Sequence, residues 1–244
     1  MPHLQAYHRP ENLEQALQLL AREGVRSAVV AGGTRIVPTL KGVDEVVDLQ
    51  RIGLDEQRHG ADSLSLGALV RVQSVVDDER APDLLREVAR REGPNTMRNQ
   101  GTIGGAIVAP RAESELLAAL LVYDAAVTVQ TLGGAHPMSL SEFLADVQGS
   151  LRGGIVTDVA LQTGGATAHT RVARTPQDAP IVAAVARRDG EGALHLALCG
   201  VGERPLLIAP EEIDDLQPPA DFRGSSAYRR QMARVLTERV LAAL

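Results

Sequence analysis

Between Pro10 and Glu23 the apolar residues Leu13, Ala16, Leu17 and Leu20 recur at the spacing of one helical face. With Pro10 near the start and Gly24 just beyond the end, this spacing predicts an amphipathic helix. The pattern then shortens. Ser27 to Ala31 is an apolar run that ends in a glycine pair, and Val46 to Leu49 is a second β-like run. The opening therefore reads as helix, strand, glycine loop, helix or turn, strand, which is an α/β unit.

From Ser63 the chain runs SLSLGALV, a strand pattern, followed by a helical stretch from Leu84 to Arg91, a glycine loop at TIGG, and an apolar segment from Leu116 to Leu121. Alternation at Val127 to Gln130 predicts a strand, Leu140 to Val147 a helix and Ile155 to Leu161 a further strand, together a second unit. The small and polar residues QTGGATAHT, Gln162 to Thr170, read as a connection. Beyond it Thr170 to Arg174, Pro180 to Arg187 and Ala193 to Gly200 read as strands. Gln217 to Ser226 reads as a loop with two prolines, and Ser226 to Leu244 as a helix with Met232, Leu236, Val240 and Ala243 at helical spacing. The expected organisation is 1–57, 58–163 and 164–244, the last an antiparallel sheet backed by helices. No internal repeat or low-complexity tract interrupts it.

Composition narrows the function. A chain of 244 residues, 44% hydrophobic, can bury a substantial core. No run approaches the length of a membrane helix and the first residues lack a secretory pattern, so the expectation is a cytoplasmic protein without a membrane span. Cys199 is the single cysteine, which leaves neither an internal disulfide nor the thiolates of an iron-sulfur cluster. A net charge of −6 and few aromatic side chains argue against nucleic-acid binding. All but one of the 25 basic residues are arginine, the exception being Lys41.

Two segments carry candidate chemistry. In VVAGGTR, Val29 to Arg35, a strand empties into Gly32 and Gly33, whose backbone can approach an anion closely, and Thr34 adds a hydroxyl. A tight turn is the commoner reading of one such pair. RNQGTIGGAI, Arg98 to Ile107, brings Thr102, Gly104 and Gly105, and two such segments about 70 residues apart suit the two phosphates of a dinucleotide, which one turn does not. Valine at Gly33 or Gly104 is then expected to expel the ligand and leave the fold largely intact. GVG at Gly200 to Gly202 lacks the third glycine and following helix of a Rossmann fingerprint and reads as a turn. The six histidines show no ligand spacing and Ser150 lacks a nucleophile elbow, so neither a metal site nor a catalytic residue is assigned.

Together, AGGTRIVPTLK and RNQGTIGG resemble the two FAD-binding segments of the flavin subunit of molybdenum hydroxylases, the family of carbon monoxide dehydrogenase medium subunits and of the flavin portion of xanthine dehydrogenases. ALCGVGERP and the terminal SSAYRRQMARVLTERVLAAL resemble that family's C-terminal domain. The resemblance implies an α+β fold: an FAD-binding domain of the vanillyl-alcohol-oxidase (PCMH) type in two α/β subdomains, plus a C-terminal antiparallel sheet with helices. It implies FAD held by Val30, Ala31, Gly32, Gly33, Thr34 and Arg35 in the first segment and by Thr102, Ile103, Gly104 and Gly105 in the second. Lys41 matches the family's lysine, and Ser114 and Glu115 match a Ser-Asp pair that contacts the ribityl or phosphate region. It further implies electron relay: a molybdopterin cofactor on a large subunit oxidises the substrate, [2Fe–2S] centres on a small subunit pass electrons on, and FAD in this chain delivers them to an external acceptor. A dimer of heterotrimers is the implied assembly.

The chain departs from the family's pattern at Ala106, where Asn is common, at Arg35, where Ser or Asp is usual, at Glu115, where the pair has Asp, and at Ala179, where an aromatic residue often stands. These departures motivate an alternative, a noncatalytic scaffold or assembly subunit that has lost or weakened FAD binding. Arg35 has two readings, an exposed arginine or an added charge-assisted contact to a diphosphate.

Overall fold

The computed structural model describes residues 4–35 and 42–244. The first unit contains β1 (Ala6–His8), α1 (Leu13–Leu20), β2 (Ser27–Val30) and β3 (Glu45–Asp48) in a parallel sheet ordered β1-β3-β2. The helix begins three residues after Pro10, because the Asn12 side chain accepts the Gln15 N–H at 2.9 Å and caps the first turn. Its apolar face packs Ala16 and Leu17 against Val47 and Leu49. β1, which the sequence pattern did not suggest, is three residues long, too short for a periodic signal.

The second unit runs β4 (Gln57–His59), β5 (Ser63–Gly67), α2 (Val72–Asp77), α3 (Asp83–Arg91), α4 (Asn95–Arg98), α5 (Ile103–Val108), α6 (Glu115–Val122), β6 (Ala126–Thr131), β7 (Gly134–Ser139), α7 (Leu140–Ala145), α8 (Val147–Leu151) and β8 (Ile155–Gln162). Its five strands are antiparallel in the order β4-β5-β8-β6-β7. The TIGG segment is not a loop: Thr102 caps α5, its hydroxyl accepting the Gly105 N–H at 3.1 Å, so the glycines form a first helical turn. The helix expected from Leu140 to Val147 divides at Asp146, whose carboxylate caps α8 by accepting the Gly149 N–H.

The third unit contains β9 (Ala166–Val172), β10 (Val182–Arg188), β11 (Leu194–Cys199), β12 (Leu206–Leu207), a 3₁₀ turn at Pro210–Asp215 and α9 (Ser226–Ala243), with strands ordered β12-β11-β10-β9, all antiparallel. The segment read as a connection is mostly β9. The strand expected from Thr170 begins at Ala166, where a half-buried row of small and polar side chains hides the β pattern, and residues 163–165 make the link.

Both faces of this third sheet are covered. Val182, Ala184, Leu196 and Leu198 face α9, with Leu236 and Val240 upon them. The alternate residues Ala183, Val185, Ala197 and Cys199 share the core of the second unit, in which every residue of α6 is buried. That helix packs directly on β10 and β11 of the third sheet and shares one buried cluster with Leu64, Leu66, Val127 and Val159 of the second, a common floor for both. Among the described residues no helix is long and apolar enough to cross a membrane.

Candidate functional site

A cavity of about 470 Å³ opens between the carboxyl ends of β2 and β3 and the second unit. Its position follows the rule that ligands of open α/β sheets bind beyond the carboxyl ends of the strands. Ala31, Gly32, Gly33, Thr34 and Arg35 form one wall. Gly33 has φ +69°, a conformation that admits glycine without strain. At Gly32 the two glycine segments touch, and a Cβ there would stand 1.8 Å from the Gln100 carbonyl oxygen. No side chain larger than hydrogen fits that crossing.

The opposite wall comprises Gly101, Thr102, Gly104, Gly105, Ala106 and Val108, with Met97 and Arg98 beside them. Here the backbone is already committed. Ile103 N–H donates to the Val70 carbonyl and Gly104 N–H to the Ala68 carbonyl, both at 2.9 Å, while Gly105 N–H serves Thr102. A Cβ on Gly104 would lie 2.8 Å from that of Ala68, so this glycine is required by the packing of α5 on the turn that follows β5. The two walls thus differ. Among the described residues no acceptor takes the N–H groups of Gly32, Gly33 or Thr34, whereas those of the second segment hold the fold.

Among the described residues, four charged side chains line the cavity: Arg35, Arg98, Arg111 and Glu92. Arg35 crosses the cleft, its guanidinium 2.7 Å from the Glu92 carboxylate and donating also to the Ala109 carbonyl. Glu92, its side chain 7% exposed, also accepts from the Ser114 hydroxyl at 2.9 Å. Burial pushes its carboxyl up against the lowering pull of Arg35, Ser114 and Arg111. Arg98 is fixed by the Arg90 and Gly93 carbonyls. With Arg35 paired to Glu92 and Arg111 to Glu113 at 2.8 Å, Arg98 leaves an excess of positive charge, suited to an anionic ligand.

The family model described as FAD binding domain in molybdopterin dehydrogenase matches residues 2–162, which include every residue lining the cavity. The chain belongs to this family. Similarity to individual members extends over almost the whole chain: 31% identity with YgfM of Escherichia coli K12, over 96% of this chain and 93% of that protein, and 28% with the glyceraldehyde dehydrogenase medium chain of Sulfolobus acidocaldarius, over 95% of each. The fold matches that of carbon monoxide dehydrogenase from Hydrogenophaga pseudoflava, with a TM-score of 0.87 at 21% identity, covering 100% of this chain and 98% of the other. Quinoline 2-oxidoreductase from Pseudomonas putida 86 superimposes equally, with a TM-score of 0.87 at 23% identity over 99% and 96% of the two chains. The cavity accordingly belongs to an FAD-binding domain, and the chain is an oxidoreductase component of the molybdenum hydroxylase type.

Within this FAD-binding family the residues anticipated from sequence fall into four groups. Ala31 to Arg35, Thr102, Gly104 and Gly105 line the cavity. Val30 and Ile103 stand next to it but are buried in the core. Lys41 lies outside the described residues. Ser114 and Glu115 are absent from the lining, their side chains being engaged elsewhere: Ser114 caps α6 and donates to Glu92, and Glu115 binds His169 at 2.7 Å with Arg171 at 3.4 Å. Glu92 and Arg111 are not among the residues anticipated from sequence, and Arg98 is there only as the first residue of the second segment, since charged residues around a helix end or loop carry no periodic mark.

Proposed function

We propose that the cavity holds FAD noncovalently with its diphosphate against Gly32, Gly33, Thr34 and Arg35, and that Thr102 and the small faces of Gly104 and Gly105 complete the opposite wall. The observation that carries this reading is the meeting of both glycine segments around one cavity, with backbone donors on one side that no described residue accepts and an excess of arginine. In this reading Ser114 acts on the site through Glu92, and Glu115 ties α6 to β9 through His169. Bound FAD supplies the capacity to store electrons and pass them to an acceptor. The chain's own residues bind the flavin and orient it, and no side chain is assigned as acid, base or nucleophile toward an organic substrate.

The partners we propose are an iron-sulfur small subunit and a molybdenum-bearing large subunit, arranged as a dimer of heterotrimers in the cytoplasm, with electrons arriving from [2Fe–2S] centres. Two facts support partners of this kind. The single thiol, Cys199, is buried and cannot assemble a cluster, and relatives bear names such as medium chain and, in Paenarthrobacter nicotinovorans, dehydrogenase complex subunit alpha. We further take 1–57, 58–163 and 164–244 as the three units, a division close to the three sheets.

Purified chain titrated with FAD is expected to bind about one equivalent, released unchanged by acid, as its absorption spectrum will report. A protein that stays colourless in excess FAD would favour the scaffold alternative. Flavin bleaching by an organic substrate is expected only with the partner subunits present; bleaching by the isolated chain would sink the relay reading.

A further inference from the structure

Among the described residues Glu92 is the one carboxylate that lines the cavity, and it occupies the guanidinium of Arg35 from the far side of the cleft. A buried carboxylate beside a site for a diphosphate is an unusual placement, because two anions in a low-dielectric cleft repel and the ionised form of the acid is disfavoured. Its surroundings set ion pairing and hydrogen bonding against that burial. Arg35 reaches it from the loop after β2 at 2.7 Å, and Ser114 donates from the start of α6 at 2.9 Å. Arg111, in the loop before α6, is near enough to lower its pKa, while Arg98 sits on the neighbouring Gly93 carbonyl. On the other side Glu113 is paired with Arg111, and the buried Cys199 thiol on β11 feels the Glu92 charge.

Resting on the FAD reading above, we propose that Glu92 competes with the cofactor diphosphate for Arg35 and takes up a proton when the diphosphate binds, so that this residue sets the pH dependence of cofactor affinity. Without ligand the ion pair neutralises Arg35. When the diphosphate arrives, Arg35 turns its charge to the incoming anion, Glu92 loses its counter-ion and gains an anionic neighbour, and its carboxyl is neutralised by a proton from solvent. No bond other than this O–H forms. The sign follows from linkage. Glu92 has a higher pKa in the complex than in the free chain, so affinity is greatest below the free-state pKa and declines as pH rises toward the bound-state pKa, by up to about tenfold per unit. Arginine at position 35, where the resemblance predicts Ser or Asp, gives the carboxylate its partner.

The test is FAD titration of the whole chain by flavin fluorescence from about pH 5 to pH 8, with calorimetry in two buffers of different ionisation enthalpy to count protons. Wild type is expected to take up a fraction of a proton, approaching one, and to weaken several-fold across that range. Glu92→Gln should show neither effect and should bind at the higher pH at least as tightly as wild type. Ser114→Ala, which keeps the carboxylate but removes a hydrogen bond to its charged form, should move the wild-type pH midpoint upward. If wild type binds FAD without proton uptake, or Glu92→Gln keeps the uptake and the slope, the role of Glu92 is wrong while the FAD site stands. If neither wild type nor variants bind FAD, the site assignment itself fails and the inference falls with it.

Discussion

At the residue scale, the two glycine segments do different physical work although their sequences look alike. Gly33 needs its positive φ and Gly32 its absent side chain, because the loop crosses Gln100. Gly104 instead lets α5 lie on Ala68. Substitution by valine was expected at both positions to remove the ligand and spare the fold, and the structure separates them. Gly104→Val should overpack a buried contact and lower stability by about 1–3 kcal/mol or more, visible as an earlier urea midpoint without FAD. Gly33→Val should cost about 1–2 kcal/mol through the backbone and abolish most FAD binding. Equal stability losses, or normal FAD titration of the Gly33 variant, would contradict the division of roles. A second residue-scale prediction concerns Asp221. The Arg229 side chain holds the Asp221 carboxyl down to about 2, and Arg229 in turn donates to the Ile181 and Gly200 carbonyls at 2.7 and 2.8 Å. Since the folded pKa is depressed, this contribution is complete above the unfolded value near 4 and disappears as pH falls through about 2. Asp221→Asn should flatten that part of the acid stability profile, whereas an unchanged profile would show the pair to be idle.

At the scale of elements, α6 is the clearest case of what the amino-acid pattern hides. ELLAALLV has no polar face, and a helix buried all round carries no amphipathic period. The run from Leu116 to Leu121 was therefore legible as apolar but not as helical, and its role between two sheets became visible only in three dimensions. The same limit applies to β9, whose alternation is of small and half-buried residues, and to β1, which is too short. Elements with one wet face, such as α1, α3 and β6, were readable because burial on a single side imposes a period. The site divided similarly. The glycine segments announced themselves, while Glu92 and Arg111 gained meaning from Arg35 across the cleft. Truncation of Leu120 to Ala in the middle of α6 should cost about 2–5 kcal/mol, since nothing near it can collapse without disturbing two sheets. A loss below about 1 kcal/mol on chemical denaturation would mean that α6 is not the shared floor described.

At the scale of the whole molecule, the cavity joins the first unit to the second, and α6 joins the second to the third. Ligand binding should therefore stabilise the chain as a body. FAD at about a hundred times its Kd should add about 2.7 kcal/mol to unfolding and raise Tm as a single transition. If FAD protects only residues before Gln57 from hydrogen exchange, the units are energetically separate. The order of strands in the five-stranded sheet has a consequence in time. β5 and β8 pair Ser63 with Gln162, and between them lie seven helices and the β6-β7 hairpin. The ends of a loop about a hundred residues long must meet before the central pairing rewards them, whereas β6 and β7 close locally. On a ribosome the second unit cannot complete its sheet until β8 has emerged, and until then α6 offers its apolar surface to any chaperone or neighbouring nascent chain that reaches it first.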